Sequence, residues 1–210
     1  MKDDKHHVYV NENGIEVPSV TTIIKIIDKP EIPKWANALG LRNVKYDTYM
    51  EERSEIGTDF HKMVEDYMSG KEVKGTHYKE SIKMFKRFMV WADNHYYKVF
   101  RHEVSLVCDS YGGTFDAIGE VDGIVTLIDY KTSKVIYPQF FIQLAGYATL
   151  LKKLEPETYD KIKAFGVVTM RKEESYKAIN KKIMESVFIP AFNDALALYM
   201  SWDKISKGYY

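Results

Sequence analysis

Polar and apolar residues alternate from Val99 to Asp109, with Val99, Arg101 and Glu103 set against Phe100, His102 and Val104, which predicts an extended strand. A turn at Ser110-Tyr111-Gly112 would return the chain into a second strand beginning at Gly113. That strand runs to Asp122-Gly123, a pair that tolerates the positive φ of a type I′ turn and so predicts a tight hairpin. The turn pairs Val121 with Ile124 and Ile118 with Leu127, and in that register Asp116 stands opposite Asp129. Side chains two apart on a strand share a face, so Lys131 projects with Asp129 beside Ile118, Val125 and Leu127. Like charges directly opposite destabilise a ladder, whereas a divalent cation between them would turn repulsion into coordination. Asp-x-Lys alone is common on solvated strand ends, and a one-residue slip would take Asp116 off the face. The partners elsewhere in the chain therefore decide.

Helical periodicity marks the other elements. Glu51 to Ser69 reads as a helix closed by Gly70, and His77 to Tyr97 is strongly amphipathic, with Ile82, Phe85, Phe88, Met89 and Ala92 on its apolar stripe. Pro138 opens a helix that reaches Leu154, its core stripe being Phe141, Leu144, Ala145 and Ala148, with Gly146 allowing close packing. Lys161 to Arg171 reads as a strand, and Ile183 to Ile205 as a C-terminal helix broken at Pro190. Ahead of these come a small hairpin over residues 6–17 turning at Asn13-Gly14, a helix from Val20 to Ile27 capped by Ser19, and a helix from near Pro33 through Trp35 to Leu39. Two hairpin strands followed by strand-helix-strand predict an α/β (α+β) fold, a central mixed β-sheet flanked by helices.

Composition narrows the setting. The 210 residues suffice for one well-cored domain, and 45% hydrophobic with 29% charged residues is ordinary for a globular protein. Thirty basic and thirty acidic residues cancel, so nucleic-acid binding would have to come from local patches. Cys108 is alone, which excludes an internal disulfide and suits a reducing cytoplasm, and its expected place is as a small apolar residue on a strand. The polar start and the lack of a long apolar run predict a cytoplasmic chain with no membrane partner.

Several polar residues fall where chemistry could use them. His61 and Glu65 share a helix face with Gly57, whose missing side chain would let another backbone approach. Gln143 and Tyr147 lie four apart on a stripe of their own, and Glu103 could join Asp116 as an accessory ligand in the same sheet. Lys79, Lys83, Lys86 and Arg87 line the polar side of the amphipathic helix; such a stripe is more often a solvated face than a phosphate track. His6 and His7 read as a solvated terminal pair.

Gly57-Thr58-x-x-His61, Gly113-Thr114-Phe115-Asp116, Asp129-Tyr130-Lys131-Thr132-Ser133 and Gln143-x-x-x-Tyr147 follow one another in the order and spacing of a known family. Together they resemble the RecB-like branch of the PD-(D/E)XK nuclease superfamily. Pro18-Ser19-Val20-Thr21 is similar to a segment in phage-type exonucleases and the mitochondrial genome-maintenance exonuclease of that branch. The resemblance implies a restriction-endonuclease-like core with an N-terminal helical elaboration, a single domain over 1–210: N-terminal hairpin and helices in 1–50, catalytic core in 51–180, C-terminal helix in 181–210. It implies a metal-dependent DNA exonuclease of phage or DNA recombination and repair. Asp116, Asp129, His61 and the Tyr130 backbone carbonyl would hold Mg²⁺ or Mn²⁺. Lys131 would orient and help deprotonate the attacking water, and Gln143 and Tyr147 would steady the lysine or contact a phosphate. DNA would be the partner, gripped by Lys79, Lys83, Lys86 and Lys134, with a recombination or single-strand-annealing protein as a second partner. One cysteine excludes a four-cysteine iron-sulfur cluster, and without a Gly-x-x-x-x-Gly-Lys-Ser/Thr loop no nucleotide cofactor is expected. A catalytically inactive DNA-binding module, an endonuclease and an RNA-directed nuclease of the same fold remain alternatives, and no residue pattern sets polarity, strand preference or oligomeric state.

Overall fold

The computed structural model describes residues 8–173 and 175–208. Its first elements are the strands β1 (Tyr9–Val10) and β2 (Glu16–Val17), paired antiparallel across a turn that Asn11 Oδ1 holds by accepting from the N–H groups of Asn13 and Ile15. His6 and His7 lie outside the described residues. Helix α1 (Val20–Ile24) follows, its first turn capped by Ser19 Oγ, which accepts from the Thr22 N–H at 3.0 Å. The cap makes a small prediction: Ser19→Ala costs about 1 kcal/mol, seen as a lower urea midpoint at unchanged slope. The helix ends at Ile24, earlier than expected, because Lys25, Ile26 and Ile27 tighten into i→i+3 turns.

Helix α2 (Glu31–Gly40) carries Trp35, and α3 (Tyr46–Met68) and α4 (Lys79–Asn94) pack against each other over one face of the sheet. Helix α3 begins five residues before the expected Glu51, since Tyr46, Asp47 and Thr48 hold no residue that resists a helix. Strands β3 (Lys98–Val107), β4 (Gly112–Val121) and β5 (Ile124–Lys131) follow, then α5 (Pro138–Leu154), α6 (Pro156–Lys161), β6 (Ala164–Thr169) and β7 (Ser175–Asn180). The chain closes with α7 (Lys181–Ile183), a wide π-helical turn over Met184–Phe188, and α8 (Ile189–Ser206). Pro190 sits in the first turn of α8, where its missing N–H costs least; the break expected at this proline lies in the wide turn just before it.

The sheet order is β3-β4-β5-β6-β7, parallel between β5 and β6 and antiparallel elsewhere. The expected mixed sheet flanked by helices is thus what forms. The hairpin has the expected register, Val121 opposite Ile124 and Ile118 opposite Leu127, and Asp122 (φ 51°) and Gly123 (φ 81°) both take positive φ. One core lies between the sheet and α1, α5 and α8, with Ile118, Leu127, Leu144 and Phe192 buried in it. The other, under α3 and α4, is built on Phe60, Phe88, Trp91 and Tyr130. Gly146 allows the close approach expected of it, for a Cβ there would stand 2.7 Å from Val20 and 2.8 Å from Phe192. Cys108 is buried just beyond the end of β3. Among the described residues no helix is long and apolar enough to cross a membrane.

Candidate metal and catalytic site

The hairpin delivers Asp116 and Asp129 to neighbouring strands but sends their carboxylates to different partners. The β4-β5 ladder pairs Ala117 with Ile128 and stops there, one residue short of the two aspartates. In place of a backbone partner the Tyr130 N–H donates to Asp116 Oδ2 at 2.6 Å. On its other side β4 pairs with β3 at Ala117–His102 and Phe115–Val104, skipping Asp116 and Glu103. Glu103 takes a left-handed φ of 49°, a strained conformation for a side chain of its kind. The sheet is therefore open on both sides of Asp116, and the opening frees its carboxylate to turn toward α3.

There it meets His61, whose Nδ1 lies 3.5 Å from Asp116 Oδ1. His61, Glu103 and Asp116 each offer a ligand atom, and these atoms lie within 4.8 Å of one another. They line a cavity of about 510 Å³ whose walls also include Thr21, Arg53 and Thr132. Gly57 on α3 faces this segment too: a Cβ built on it would stand 3.6 Å from Thr132 Oγ1, so the close neighbour is a side-chain hydroxyl and not the expected backbone. Pro18-Ser19-Val20-Thr21 reaches the same cavity through its last three residues.

The charges of the cluster are coupled. Burial alone would raise the Asp116 carboxyl, but the charge of His61 and its hydrogen bond, with Lys131 and the Tyr130 N–H, hold it below the usual carboxylate range. Burial would lower the His61 imidazole, and Asp116 outweighs it to hold the ring above its ordinary value. Glu103 is exposed as a residue, yet desolvation of its carboxyl against the other two, reinforced by the Asp116 charge, pushes it up to about 7.

Asp129 stands apart from this cluster. Its side chain is 2% exposed, and Lys131 Nζ reaches both oxygens, 2.9 Å from Oδ1 and 2.7 Å from Oδ2. Only the Oδ1 contact is aligned as a hydrogen bond, which leaves the buried Oδ2 with charge pairing alone. Desolvation raises the Asp129 carboxyl to about 6 against the opposing pull of Lys131. The lysine also donates to Gln143 Oε1 at 2.9 Å, and Gln143 Nε2 donates to the Tyr147 hydroxyl at 2.7 Å. Gln143 and Tyr147 are buried, and this row of hydrogen bonds along α5 orients the lysine from behind. Tyr130 also carries its hydroxyl to Tyr97, 2.6 Å away, in the core beneath α4.

The basic residues divide. Lys79, Lys83 and Lys86 are exposed on α4, whereas Arg87 turns inward and donates to the carbonyls of Met170 and Arg171, so it does not belong to the stripe expected for it. Lys134 is exposed after β5, on the wall of a second cavity. Arg53 and Arg171 had no sequence signal. Both pair with Glu80 of α4, at 2.6 Å and 3.0 Å, which ties α3, α4 and the segment after β6 together.

No protein-family model matches the chain, and no curated protein is significantly similar to it in sequence. Among solved structures it is similar to a candidate exonuclease from Eubacterium rectale, at 14% identity and a TM-score of 0.48 over 74% of this chain and 69% of that one. It is also similar to a protein called SSO0001, at 18% identity and a TM-score of 0.30 over 57% of this chain and 58% of that one. Likenesses of this size carry no weight for function, which has to be read from the site.

Proposed function

We propose that the protein is a metal-dependent deoxyribonuclease that hydrolyses phosphodiester bonds from DNA ends. The observation that carries this reading is the meeting of His61, Glu103 and Asp116 in an open cavity, with a lysine held beside it by Asp129 and Gln143. Two carboxylates and an imidazole are a donor set for Mg²⁺ or Mn²⁺. The under-bonded Asp129 Oδ2 is a feature that a cation and its shell would satisfy. His61, Glu103 and Asp116 would hold the ion, with Asp129 and the Tyr130 carbonyl as the further ligands that the sequence motif suggests. A bound cation would supply charge stabilisation at a phosphate and acidify a water.

The remaining work falls to side chains. Lys131, fixed by Asp129 and Gln143, brings a positive charge to the reacting phosphate and orients the attacking water. Gln143 and Tyr147 keep the lysine from swinging away. Thr21, Thr58 and Thr132 offer hydroxyls along the cavity for non-bridging oxygens of the strand. The exposed Lys79, Lys83 and Lys86 add a salt-sensitive hold on the backbone.

The test is degradation of end-labelled linear DNA with Mg²⁺, Mn²⁺ or EDTA. Shortening from an end in metal alone, with closed circular DNA left intact, is the expected result. Cutting of circles would replace the exonuclease reading with an endonuclease one, and no cutting with any metal would leave only a binding module. A pH dependence follows from the cluster. Glu103, raised to about 7, and His61, held above its usual value, carry protons that an incoming cation must displace. Mn²⁺ affinity should therefore climb as pH rises from 5.5 toward 8, by roughly tenfold per unit for each proton displaced. In Glu103→Gln the affinity should be lower and its climb with pH shallower, as measured by calorimetry.

A further inference from the structure

We propose that the second cavity receives an unpaired nucleotide of single-stranded DNA, the base against its aromatic walls and the phosphate at its lysines. This deepens the nuclease reading and rests on it for the identity of the strand.

The cavity measures about 500 Å³ and lies between α2, α3 and the segment that joins β5 to α5. That size is within the range of small-ligand sites, about 300–1,000 Å³. Four rings wall it, Trp35 and Tyr49 on one side and Tyr137 and Phe140 on the other. Trp35 is 38% exposed and Tyr137 is 40% exposed, so both keep free ring surface although each packs edge-on against a neighbour, Tyr49 at 5.4 Å and Phe140 at 5.6 Å. Trp35 also packs edge-on against Tyr46 at 5.6 Å, and Arg53 and Lys131 lie over the Tyr49 and Phe140 rings, so the surface left for stacking is that of Trp35 and Tyr137. Three cations stand on the rim. Arg171 is paired with Glu80, which it shares with Arg53, whereas Lys29 and Lys134 have no ion-pair partner among the described residues, and Glu31 is the one acid on the lining. Aromatic faces with free cations beside them are what an unstacked base and its phosphate require. A base within a duplex has both faces covered, so this cavity selects strands that are single or frayed.

Its place relative to the candidate catalytic site supports the same ligand. Thr132 lines the first cavity, and the next two residues, Ser133 and Lys134, line the second. Lys131 Nζ lies 5.3 Å from the centre of the Phe140 ring that forms the second cavity's wall. Tyr49 and Arg53, one turn apart on α3, face the second and first cavities respectively. A strand with a phosphate at His61, Glu103 and Asp116 would therefore have a neighbouring nucleotide within reach of the rings.

The test separates binding from cutting. The full-length protein carrying Trp202→Phe, which removes the exposed tryptophan of α8, is titrated in EDTA with a short oligothymidylate while tryptophan fluorescence is followed. The expected result is quenching by the single strand, with affinity falling roughly 5- to 150-fold in Tyr137→Ala, as for one lost base stack. Trp35→Ala, followed by fluorescence anisotropy of a labelled strand, should weaken binding to the same degree, and because the two variants alter opposite walls, a folding defect in one leaves the other to decide. Lys134→Ala should make binding less salt-dependent, by about 0.7 in the log–log slope. Equal quenching by a blunt duplex, displacement of the strand by inorganic phosphate at matched concentration, or unchanged affinity in both ring variants would overturn the proposal. If DNA is cut in metal while both ring variants bind as wild type, this proposal fails and the nuclease reading survives. If the ring variants lose binding but no metal supports cutting, the nuclease reading fails and the strand-binding cavity stands.

Discussion

Asp116→Ala should abolish Mn²⁺ binding at the cluster and metal-dependent DNA cleavage with it. Asp116 is the hub: one oxygen faces the His61 ring, the other takes the Tyr130 N–H, and Glu103 lies close to both. Loss of a residue that merely supports a ligand commonly weakens metal affinity by about 10–100-fold. Removal of the carboxylate itself should exceed the upper figure, since the imidazole and the Glu103 carboxyl that remain would bind without a fixed anion between them. Calorimetry with Mn²⁺ checks the first part, and end-labelled DNA checks the second. The result that would sink the site is an alanine variant that binds Mn²⁺ within a few-fold of wild type. The variant should also shift His61: without Asp116, burial dominates and the imidazole falls below its ordinary value. The variant should be less stable, since the Tyr130 N–H loses its partner at a cost of about 1–3 kcal/mol and the carboxylate that the fold holds ionised is gone.

Much of this site is legible in the sequence where short-range chemistry decides. Asp122-Gly123 sets the hairpin turn, and the turn sets the register that puts Asp116 and Asp129 at its mouth. Pro138 and the spacing of Phe141, Leu144, Ala145 and Ala148 define α5, and with it the row from Gln143 to Tyr147. What the register could not convey is that the ladder ends before the two aspartates. On the other side of Asp116 the positive φ of Glu103, together with the irregularity between Val99 and Arg101, breaks the period of two in β3. Alternation alone therefore left the face of Glu103 undecided. The structure answers the predicted repulsion of the aspartates by parting their carboxylates, one toward α3 and the other toward α5.

Other features were hidden for different reasons. Strand β7 reads Ser-Tyr-Lys-Ala-Ile-Asn, mostly exposed, because an edge strand needs few apolar residues on its open side. Helix α6 is a single short segment after Pro156, too brief for a periodic signal. Arg87 follows three lysines along one stripe, yet a carbonyl pair from the segment after β6 draws it inward. The second cavity has walls drawn from α2, α3 and the approach to α5, so only the packed chain brings its rings together.

Lys131→Ala should lower cleavage by about 10²–10³-fold, the range for losing one group aimed at developing charge, and should do so with a stability deficit that depends on pH. In the wild type Asp129 is raised to about 6 in the folded state from an ordinary value near 4, so between those limits the native protein binds more protons than the unfolded chain. Stability from this group is therefore greater in acid and declines as pH rises through 6, where the folded carboxyl ionises and relies on Lys131. Removing the lysine takes away the charge that held Asp129 down, and its carboxyl rises further and stays protonated at neutral pH. At pH 7.5 the variant should be less stable by about 3 kcal/mol, the lower end for breaking a buried pair because the lysine side chain is a fifth exposed. Near pH 5 the deficit should shrink by half or more, since Asp129 is largely protonated in both proteins there. Urea melts at the two pH values measure this, and a deficit that grows in acid would show that Asp129 and Lys131 are not coupled as the contacts indicate. Cleavage compared below the unfolding range of both proteins separates the chemical loss from the structural one. Gln143→Ala should follow the same pattern more weakly, because it frees the lysine but leaves the ion pair with Asp129 in place.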